Sequence, residues 1–373
     1  MSETWLLPKQ VFDGKTLLQN TALRLDEAVV KTIAPASDIP IGATVHRIEE
    51  TVAPGFLDLQ VNGGGGVLLN ASPSAQAIRD IAAAHRGFGT VGILPTVISD
   101  APETLEAAVE AALSVQGEAG LLGLHIEGPH LSKVRRGTHA ANHLRPLDQT
   151  TLQHVQRLRA AGVPVMITLA PEVVSLEQIS ALAASGAVVS IGHSDATAEQ
   201  TRAALDAGAT AGTHLFNAMS PMLNRSPGVV GALINSHAFT GLIVDGLHVA
   251  EEMIALAIRA RPIPDRMFLV SDAMPTVGGP DCFQLYGHDV CLRDGRLINA
   301  EGSLAGAHLW QGDGLHRLIN RIGVDPAAAL RMAISIPAQV MGLDPLAQLE
   351  GRRTDDLIRL GDDYEFVGFL NYD

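Results

Sequence analysis

Aromatic residues make up only 4% of this 373-residue chain, so any buried core has to be assembled from Ala, Val, Leu and Ile. Cysteine is nearly absent. Cys282 and Cys291 are too few for a Cys-rich structural zinc site; they fit a reducing compartment and are expected to stay unpaired. Positive charge is short as well, with 26 Lys and Arg against 40 Asp and Glu and a net charge of -14. Nucleic acid and anionic membrane surfaces both call for a broad cationic face, which excludes them as general partners, whereas an anionic small molecule needs only a local gathering of basic groups. No run approaches the roughly 18 apolar residues of a membrane span, and Met1 to Trp5 lacks a basic start followed by an apolar stretch. A soluble, cytoplasmic protein is the expectation.

With 47% apolar and 18% charged residues, the chain has ample material for a packed interior and exceeds one ordinary domain in length. Residues 1–51 carry short alternating runs around turn residues, such as Gln10-Val11-Phe12 before Asp13-Gly14, the pattern of a small β-sheet. From about Thr51 the texture changes. Eight apolar runs follow, at 56–61, 91–96, 121–126, 163–169, 188–191, 209–213, 241–244 and 267–270, most of them separated by Ala-rich segments of helical period. Eight strands with intervening helices count out a closed (β/α)8 barrel of the TIM type. Beyond Asp272, segments 283–289, 290–293 and 296–299 predict an inserted hairpin turning at Asp294-Gly295. Segments 312–321 and 326–341 read as helices, the second opened by Asp325-Pro326. The tail, 361–370, reads as β that rejoins the N-terminal sheet. The expected division is a barrel over 52–345 and a small β-sandwich domain built from 1–51 and 346–373.

The chemistry turns on the stretch from Val188 to Asn217. Two apolar runs there each stop on a histidine, His193 and His214, and the segment between them has Asp195 or Thr197 as a cap and Gly208 as a stop. Strand, helix and strand in that order imply parallel neighbours, so both imidazoles leave the same end of the sheet. Polar groups follow the other runs too: Gln60 and Asn62, then Thr96, His125 with Glu127, Glu172, Asp245 with His248, and Asp272. A purely structural barrel has no need of them, whereas a catalytic one carries its chemistry at this rim. Glu127, His193 and His214 offer one carboxylate oxygen and two imidazole nitrogens, the three-ligand set of a catalytic zinc site with a position left for water. Such an ion lowers the pKa of water and polarises a carbonyl. Asp272 would then act as general base and acid, taking the water's proton and handing one to a leaving amine.

These residues sit in longer motifs: Ala53-Pro54-Gly55-Phe56-Leu57-Asp58, Leu124-His125-Ile126-Glu127-Gly128-Pro129-His130, Gly192-His193-Ser194-Asp195-Ala196-Thr197 and Gly212-Thr213-His214-Leu215-Phe216-Asn217-Ala218-Met219. Arg225-Ser226-Pro227-Gly228-Val229-Val230-Gly231, Val244-Asp245-Gly246-Leu247-His248-Val249 and Val270-Ser271-Asp272-Ala273 continue the series. Over about residues 50–345 the chain resembles the N-acetylglucosamine-6-phosphate deacetylases of the amidohydrolase superfamily, and its flanking β-segments are similar to that family's split small domain. The resemblance implies hydrolysis of the acetamido group of an amino-sugar 6-phosphate, releasing acetate and the free amine, in amino-sugar catabolism or recycling. It carries the metal-ligand roles onto Glu127, His193 and His214, and the acid/base role onto Asp272. It also implies that His139 contacts the substrate near its carbonyl or hydroxyls. Asn217, the Ala218 backbone, Arg225 and His248 would form the phosphate site, with one basic group reaching in from the other subunit of a homodimer.

The chain departs from the family in places. Many amidohydrolases carry two histidines after the first strand to hold a second metal, and here that stretch is Gln60-Val61-Asn62. Amides are poor ligands for first-row metals, so one divalent ion per subunit is expected, with Gln60 and Asn62 as vestiges of the second position. Zinc is the first expectation, and iron(II), cobalt or manganese would also accept these donors. His308 stands where the family usually has a small residue and Ser226 where an acidic one is commoner, both expected near the sugar. Alternative substrates are therefore N-acetylgalactosamine 6-phosphate or another N-acyl compound, and a third reading is a non-catalytic binding relative. The cluster Lys133-Val134-Arg135-Arg136 reads as a solvated loop. The glycines at 63–66 read as flexible or close-packed backbone, because no Gly-Lys-Ser/Thr follows them.

Overall fold

A computed structural model describes residues 4–372 of the chain; Met1 to Glu3, part of the stretch read against a leader, and Asp373, the limit of the expected C-terminal segment, lie outside the described residues. Eight parallel strands form the central sheet, numbered here β1 (Phe56–Val61), β2 (Thr90–Ile98), β3 (Leu124–Glu127), β4 (Val165–Leu169), β5 (Val188–Ile191), β6 (Ala211–Gly212), β7 (Phe239–Leu242) and β8 (Met267–Leu269). Each strand pairs with its successor in the chain. The ring closes just past β8, where the Asp272 N–H donates to the Gln60 carbonyl at 3.0 Å and the Asn62 N–H to the Ala273 carbonyl at 2.9 Å. A helix follows every strand: α1 (Ala75–Arg86), α2 (Pro102–Ser114), α3 (Gln149–Ala160), α4 (Leu176–Ala184), α5 (Ala198–Asp206), α6 (Gly228–Ile234), α7 (Glu251–Ala260) and α8 (Gln311–Asn320). This is the (β/α)8 barrel expected from the alternation.

Local chemistry explains the element ends. β1 and β2 are buried along their whole length, lined inside and covered by helices outside, which is why they read as unbroken apolar runs rather than alternations. Ser175 and Thr197 accept the backbone N–H of Gln178 and Gln200, whose side chains bond back, so α4 and α5 both open on reciprocal caps. Of the two caps considered for α5, Thr197 is used. The core is aliphatic, with Phe56 and Phe268 among its few fully buried aromatic rings.

Both termini build the second layer. A seven-stranded sheet takes five strands between Thr4 and Pro54 and two more, Leu357–Leu360 and Phe366–Phe369, from the tail. Its strand Thr44–Pro54 pairs in parallel with Thr4–Phe12 and antiparallel with Leu357–Leu360, then runs through Gly55 straight into β1. A Cβ at Gly55 would lie 2.2 Å from Val91 Cγ1, so the chain enters the barrel at a point where only glycine fits. Leu6, Val11, Leu23, Val52, Leu349 and Leu357 form a separate apolar cluster for this sheet.

The structure differs from expectation in three places. The inserted hairpin has three strands, Cys282–Leu285, His288–Arg293 and Arg296–Ile298, with an additional turn at Tyr286-Gly287. Segment 283–289 read as continuous because Tyr286 is not a turn residue, yet it adopts φ +50°. Cys282 and Cys291 are not free thiols: antiparallel register sets them opposite each other with Cα atoms 4.1 Å apart, and they form a disulfide. Helix 326–341 is not uniform. A π-helical turn at Arg331–Ser335 precedes Pro337, whose ring and missing N–H break the regular bonding pattern.

Asp58 on β1 braces the closure, accepting the backbone N–H groups of Gln60 and Ser271 at 3.2 Å each, and its burial pushes the carboxyl up to about 7. Its folded-state pKa thus lies above the value in the unfolded chain, so the stability it contributes is complete at low pH and is lost as pH rises from about 4 to about 7. Asp58→Asn should therefore gain on the wild type by up to ~4 kcal/mol across that window. Urea unfolding at a series of pH values tests this, and a pH-independent difference between the two proteins would contradict it.

Candidate metal centre and active site

Glu127 closes β3, while His193, His214 and Asp272 lie just past the ends of β5, β6 and β8. The last three have left-handed backbones, with φ of 48°, 31° and 51°. Each strand therefore turns sharply at its functional residue, a strain that concentrates at active sites because a side chain is being aimed. Glu127 Oε1 lies 3.0 Å from His214 Nε2 and 3.2 Å from His193 Nε2, and the two nitrogens are 3.0 Å apart. All three residues are buried. His193 Nδ1–H donates to the Arg135 carbonyl at 3.0 Å, which fixes the ring with Nε2 turned to Glu127, while His214 Nδ1 is buried without a partner. His139 also brings a ring nitrogen within 4.8 Å of donor atoms on Glu127 and His193.

Electrostatics agree with a cation-ready pocket. Burial alone would raise the Glu127 carboxyl, but hydrogen bonds and charge from His193 and His214 outweigh it and hold the group well below the usual range. Burial would likewise lower His214, yet Glu127 and then Asp272 raise it. One carboxylate oxygen and two imidazole nitrogens converging on one point, with one ring already oriented by a carbonyl, match the donor set of a divalent metal site.

Gln60 and Asn62 turn their amide N–H groups to the carboxylates. Gln60 Nε2 bridges Glu127 at 3.0 Å and Asp272 at 3.2 Å, and Asn62 Nδ2 donates to the same Asp272 oxygen at 2.6 Å. At the positions expected to be vestiges of a second metal site, the two amides act as clamps. Burial, followed by repulsion from Glu127, pushes Asp272 up to about 6.

A chain of polar groups floors the site inside the barrel. His125 Nδ1 faces the Leu59 carbonyl at 2.9 Å, so it carries the proton and Nε2 accepts from the Thr168 hydroxyl at 2.7 Å. Thr168 then accepts from Thr213 at 2.7 Å and Thr213 from Ser190 at 2.6 Å, so every hydroxyl in the row points one way. Burial pushes His125 down to about 4, which keeps it neutral in this row.

Above the carboxylates opens a cavity of about 440 Å³. Of the residues expected to contact substrate, His139, Asn217, Ala218 and His248 line it. His248 donates through Nδ1 to Asp245 at 2.6 Å, and that bond overcomes burial to hold Asp245 below its ordinary value. Arg225 does not line the cavity; it is exposed in segment 221–227. His308 lies outside as well, bonded to Thr276 Oγ1 at 3.0 Å and set edge-on to Trp310, so its departure from the family pattern does not reach the site. The basic cluster is solvated at Lys133 and Val134, as expected of a loop, but it also borders the cavity. Lys133, Arg135 and Arg136 form one wall, Arg135 paired with Asp195 at 2.7 Å and Arg136 with Glu301. Glu172 holds the turn after His193, accepting from Ser194 Oγ at 2.7 Å and the Asp195 N–H at 2.6 Å. Ser99 was missed by sequence: its hydroxyl sits 2.8 Å from His139 Nδ1, forty residues away in the chain, and no local motif marks it.

No family model matches the chain. It is 39% identical over 318 residues to the N-acetylgalactosamine-6-phosphate deacetylase of Shewanella sp. (strain ANA-3), an alignment spanning 84% of this chain and 80% of that one. Human N-acetylglucosamine-6-phosphate deacetylase is 35% identical over 316 residues, 79% of this chain and 75% of its own. The crystal structure of N-acetylglucosamine-6-phosphate deacetylase from Pasteurella multocida superposes with a TM-score of 0.90 at 31% identity, covering 98% of this chain and 97% of that one. The chain belongs to the N-acetylglucosamine-6-phosphate deacetylase family of the amidohydrolase superfamily. Another solved member, an aspartate-to-alanine mutant of the Mycobacterium smegmatis deacetylase in complex with N-acetyl-D-glucosamine-6-phosphate, matches with a TM-score of 0.88 at 31% identity over 99% of this chain and 100% of that one.

Within this deacetylase family framework, Gln60 is the residue on which both buried carboxylates lean. Gln60→Ala leaves Glu127 and Asp272 without their shared donor and should destabilise the metal-free protein by about 2–3 kcal/mol. Chemical denaturation measures the loss; an unchanged midpoint would show that the bridge contributes nothing.

Proposed function

We propose that the cavity hydrolyses the acetamido group of N-acetyl-D-glucosamine 6-phosphate, giving D-glucosamine 6-phosphate and acetate in amino-sugar breakdown. Convergence of Glu127, His193 and His214 beside the raised carboxyl of Asp272 carries this assignment. Those three side chains would hold one divalent ion, which when bound lowers the pKa of water and polarises a carbonyl. Asp272 accepts the proton that water loses as its oxygen adds to the acetyl carbon, then returns one to the amine nitrogen as the C–N bond breaks. Asn62 and Gln60 orient the carboxylate through this transfer. His139 contacts the substrate near its carbonyl or hydroxyls, and Asn217, the Ala218 backbone and His248 bind the phosphate.

Several finer assignments belong to the same proposal. Zinc suits a Glu/His/His set, and iron(II), cobalt and manganese accept it too. Arg225, exposed and outside the cavity of its own subunit, supports a homodimer in which it serves the phosphate site of the second copy. A charged sugar phosphate does not cross a bilayer unaided, which supports action in the cytoplasm; no helix among the described residues is long and apolar enough to cross a membrane. The chain divides into a barrel at 52–345 and a small domain from 1–51 and 346–373. N-acetylgalactosamine 6-phosphate is the second reading, favoured by the name of the 39% identical Shewanella relative.

Acetate release from equal mixtures of the two hexosamine phosphates decides between them, and release from neither would reject both. Asp272→Asn should lower kcat by about 10²–10⁴-fold with substrate affinity and metal content kept, whereas His193→Ala should lose the metal as well. Full metal and full turnover in either variant would refute its role. Removing the 6-phosphate from the substrate should depress kcat/KM; an unchanged value would dismiss the role given to Asn217, Ala218, Arg225 and His248.

A further inference from the structure

The inserted three-stranded hairpin supplies none of the groups around Glu127 and Asp272, yet it and the segment leaving its third strand grip the wall that carries His139 at three points. Asn299 Nδ2 donates to Thr138 Oγ1 at 3.2 Å, and Glu301 accepts from Arg136, whose other nitrogen donates to the His139 carbonyl at 2.9 Å. The third tie is Tyr286, at the turn that the sequence did not signal. Its hydroxyl donates to the Ser99 carbonyl at 2.5 Å and its ring stacks on His143 with centroids 6.0 Å apart. A bulky residue at φ +50° in a hairpin turn is unusual, because glycine, asparagine or aspartate takes that conformation more easily. Here the side chain is directed inward rather than to solvent, and the bond to Ser99 is what it reaches.

Ser99 in turn touches His139 twice, through Oγ at 2.8 Å and through its backbone N–H at 3.3 Å, both on Nδ1. A backbone N–H only donates, so Nδ1 is an acceptor and the neutral ring carries its proton on Nε2. His193 is the mirror case. Its Nδ1 meets the Arg135 carbonyl, which only accepts, so in the neutral ring, the form that binds a metal, Nε2 holds the lone pair. Two histidines with ring centroids 4.4 Å apart are thereby assigned opposite tasks by the backbone groups behind them, one as an electron-pair donor and the other as a hydrogen-bond donor.

We infer that the hairpin is a positioning element for His139: Tyr286, acting through Ser99, locks the Nε2–H form of that ring, bars it from ligating a metal through Nε2, and aims its N–H at an oxygen of the bound substrate. Ser99 and Tyr286 are positioning residues, since neither faces the reacting atoms. This inference rests on the amide-hydrolysis reading of the cavity only for the oxygen that the N–H meets.

Nitrogen NMR of histidine-labelled, metal-free protein, with the His139 signals assigned by their loss in His139→Gln, reads the tautomer without any substrate. A wrong substrate would therefore leave the tautomer result standing. The wild type should show unprotonated Nδ1 and protonated Nε2 at His139. Tyr286→Phe should mix the two tautomers and lower kcat about tenfold while KM stays within about twofold and metal content is unchanged. Ser99→Ala, which leaves the hairpin intact, should do the same and carries the test if Tyr286→Phe does not fold. Protonation on Nδ1 in the wild type, or a wild-type nitrogen spectrum or wild-type kcat in both variants, overturns the inference.

Discussion

The seam between β1 and the residues after β8 is the constraint on which the site depends. Two backbone hydrogen bonds, Asp272 to Gln60 and Asn62 to Ala273, complete the ring and thereby set the first strand's amides against the last strand's carboxylate. Opening that seam would move Asp272 away from Gln60, and Gln60 away from Glu127, without changing any side chain. Barrel closure in this sense assembles the site as well as stabilising the fold, because it converts positions more than two hundred residues apart into hydrogen-bonding neighbours. Asp58, buried at the same seam, ties β1 to Ser271 directly beside Asp272.

Polarity is graded along the barrel axis. At the rim lie Glu127 and Asp272, each bonded to specific partners; close by runs the row from His125 to Ser190, whose hydrogens all point one way; most of the remaining interior is aliphatic. Such layering keeps the desolvation penalty of Glu127 and Asp272 next to groups that can offset it. It also explains the opposite directions taken by the two carboxyls. Glu127 faces two imidazoles and is held low, whereas Asp272 faces amides and another carboxylate and is driven up. One fold thus keeps one carboxyl ionised and raises the other a short distance away.

Much of this was legible in the residues, because strand-end histidines and carboxylates separated by helix-period segments report a rim, and runs such as 56–61 and 188–191 coincide with strands. Glu127, His193, His214 and Asp272 converge as their strand positions required. What could not be read was whatever depends on contacts between distant loops. Tyr286 offers no turn signal, Ser99 belongs to no motif, and Lys133 to Arg136 became a cavity wall only because the hairpin and Asp195 lie opposite. The disulfide escaped for the same reason, since an unforeseen turn set the register that brings Cys282 to Cys291. Arg225 was assigned to the phosphate by resemblance, and its exposed position places it apart from the cavity of its own chain.

The left-handed backbones of His193, His214 and Asp272 have a consequence for how this protein can evolve. Asparagine, aspartate and histidine are the non-glycine residues that tolerate that conformation best, and the last two are also donors of electron pairs to metals and protons. Drift at these positions is therefore channelled: a lineage that abandons the chemistry can slide to asparagine at little conformational expense, whereas valine or isoleucine would strain the chain even in a protein with no activity left to lose.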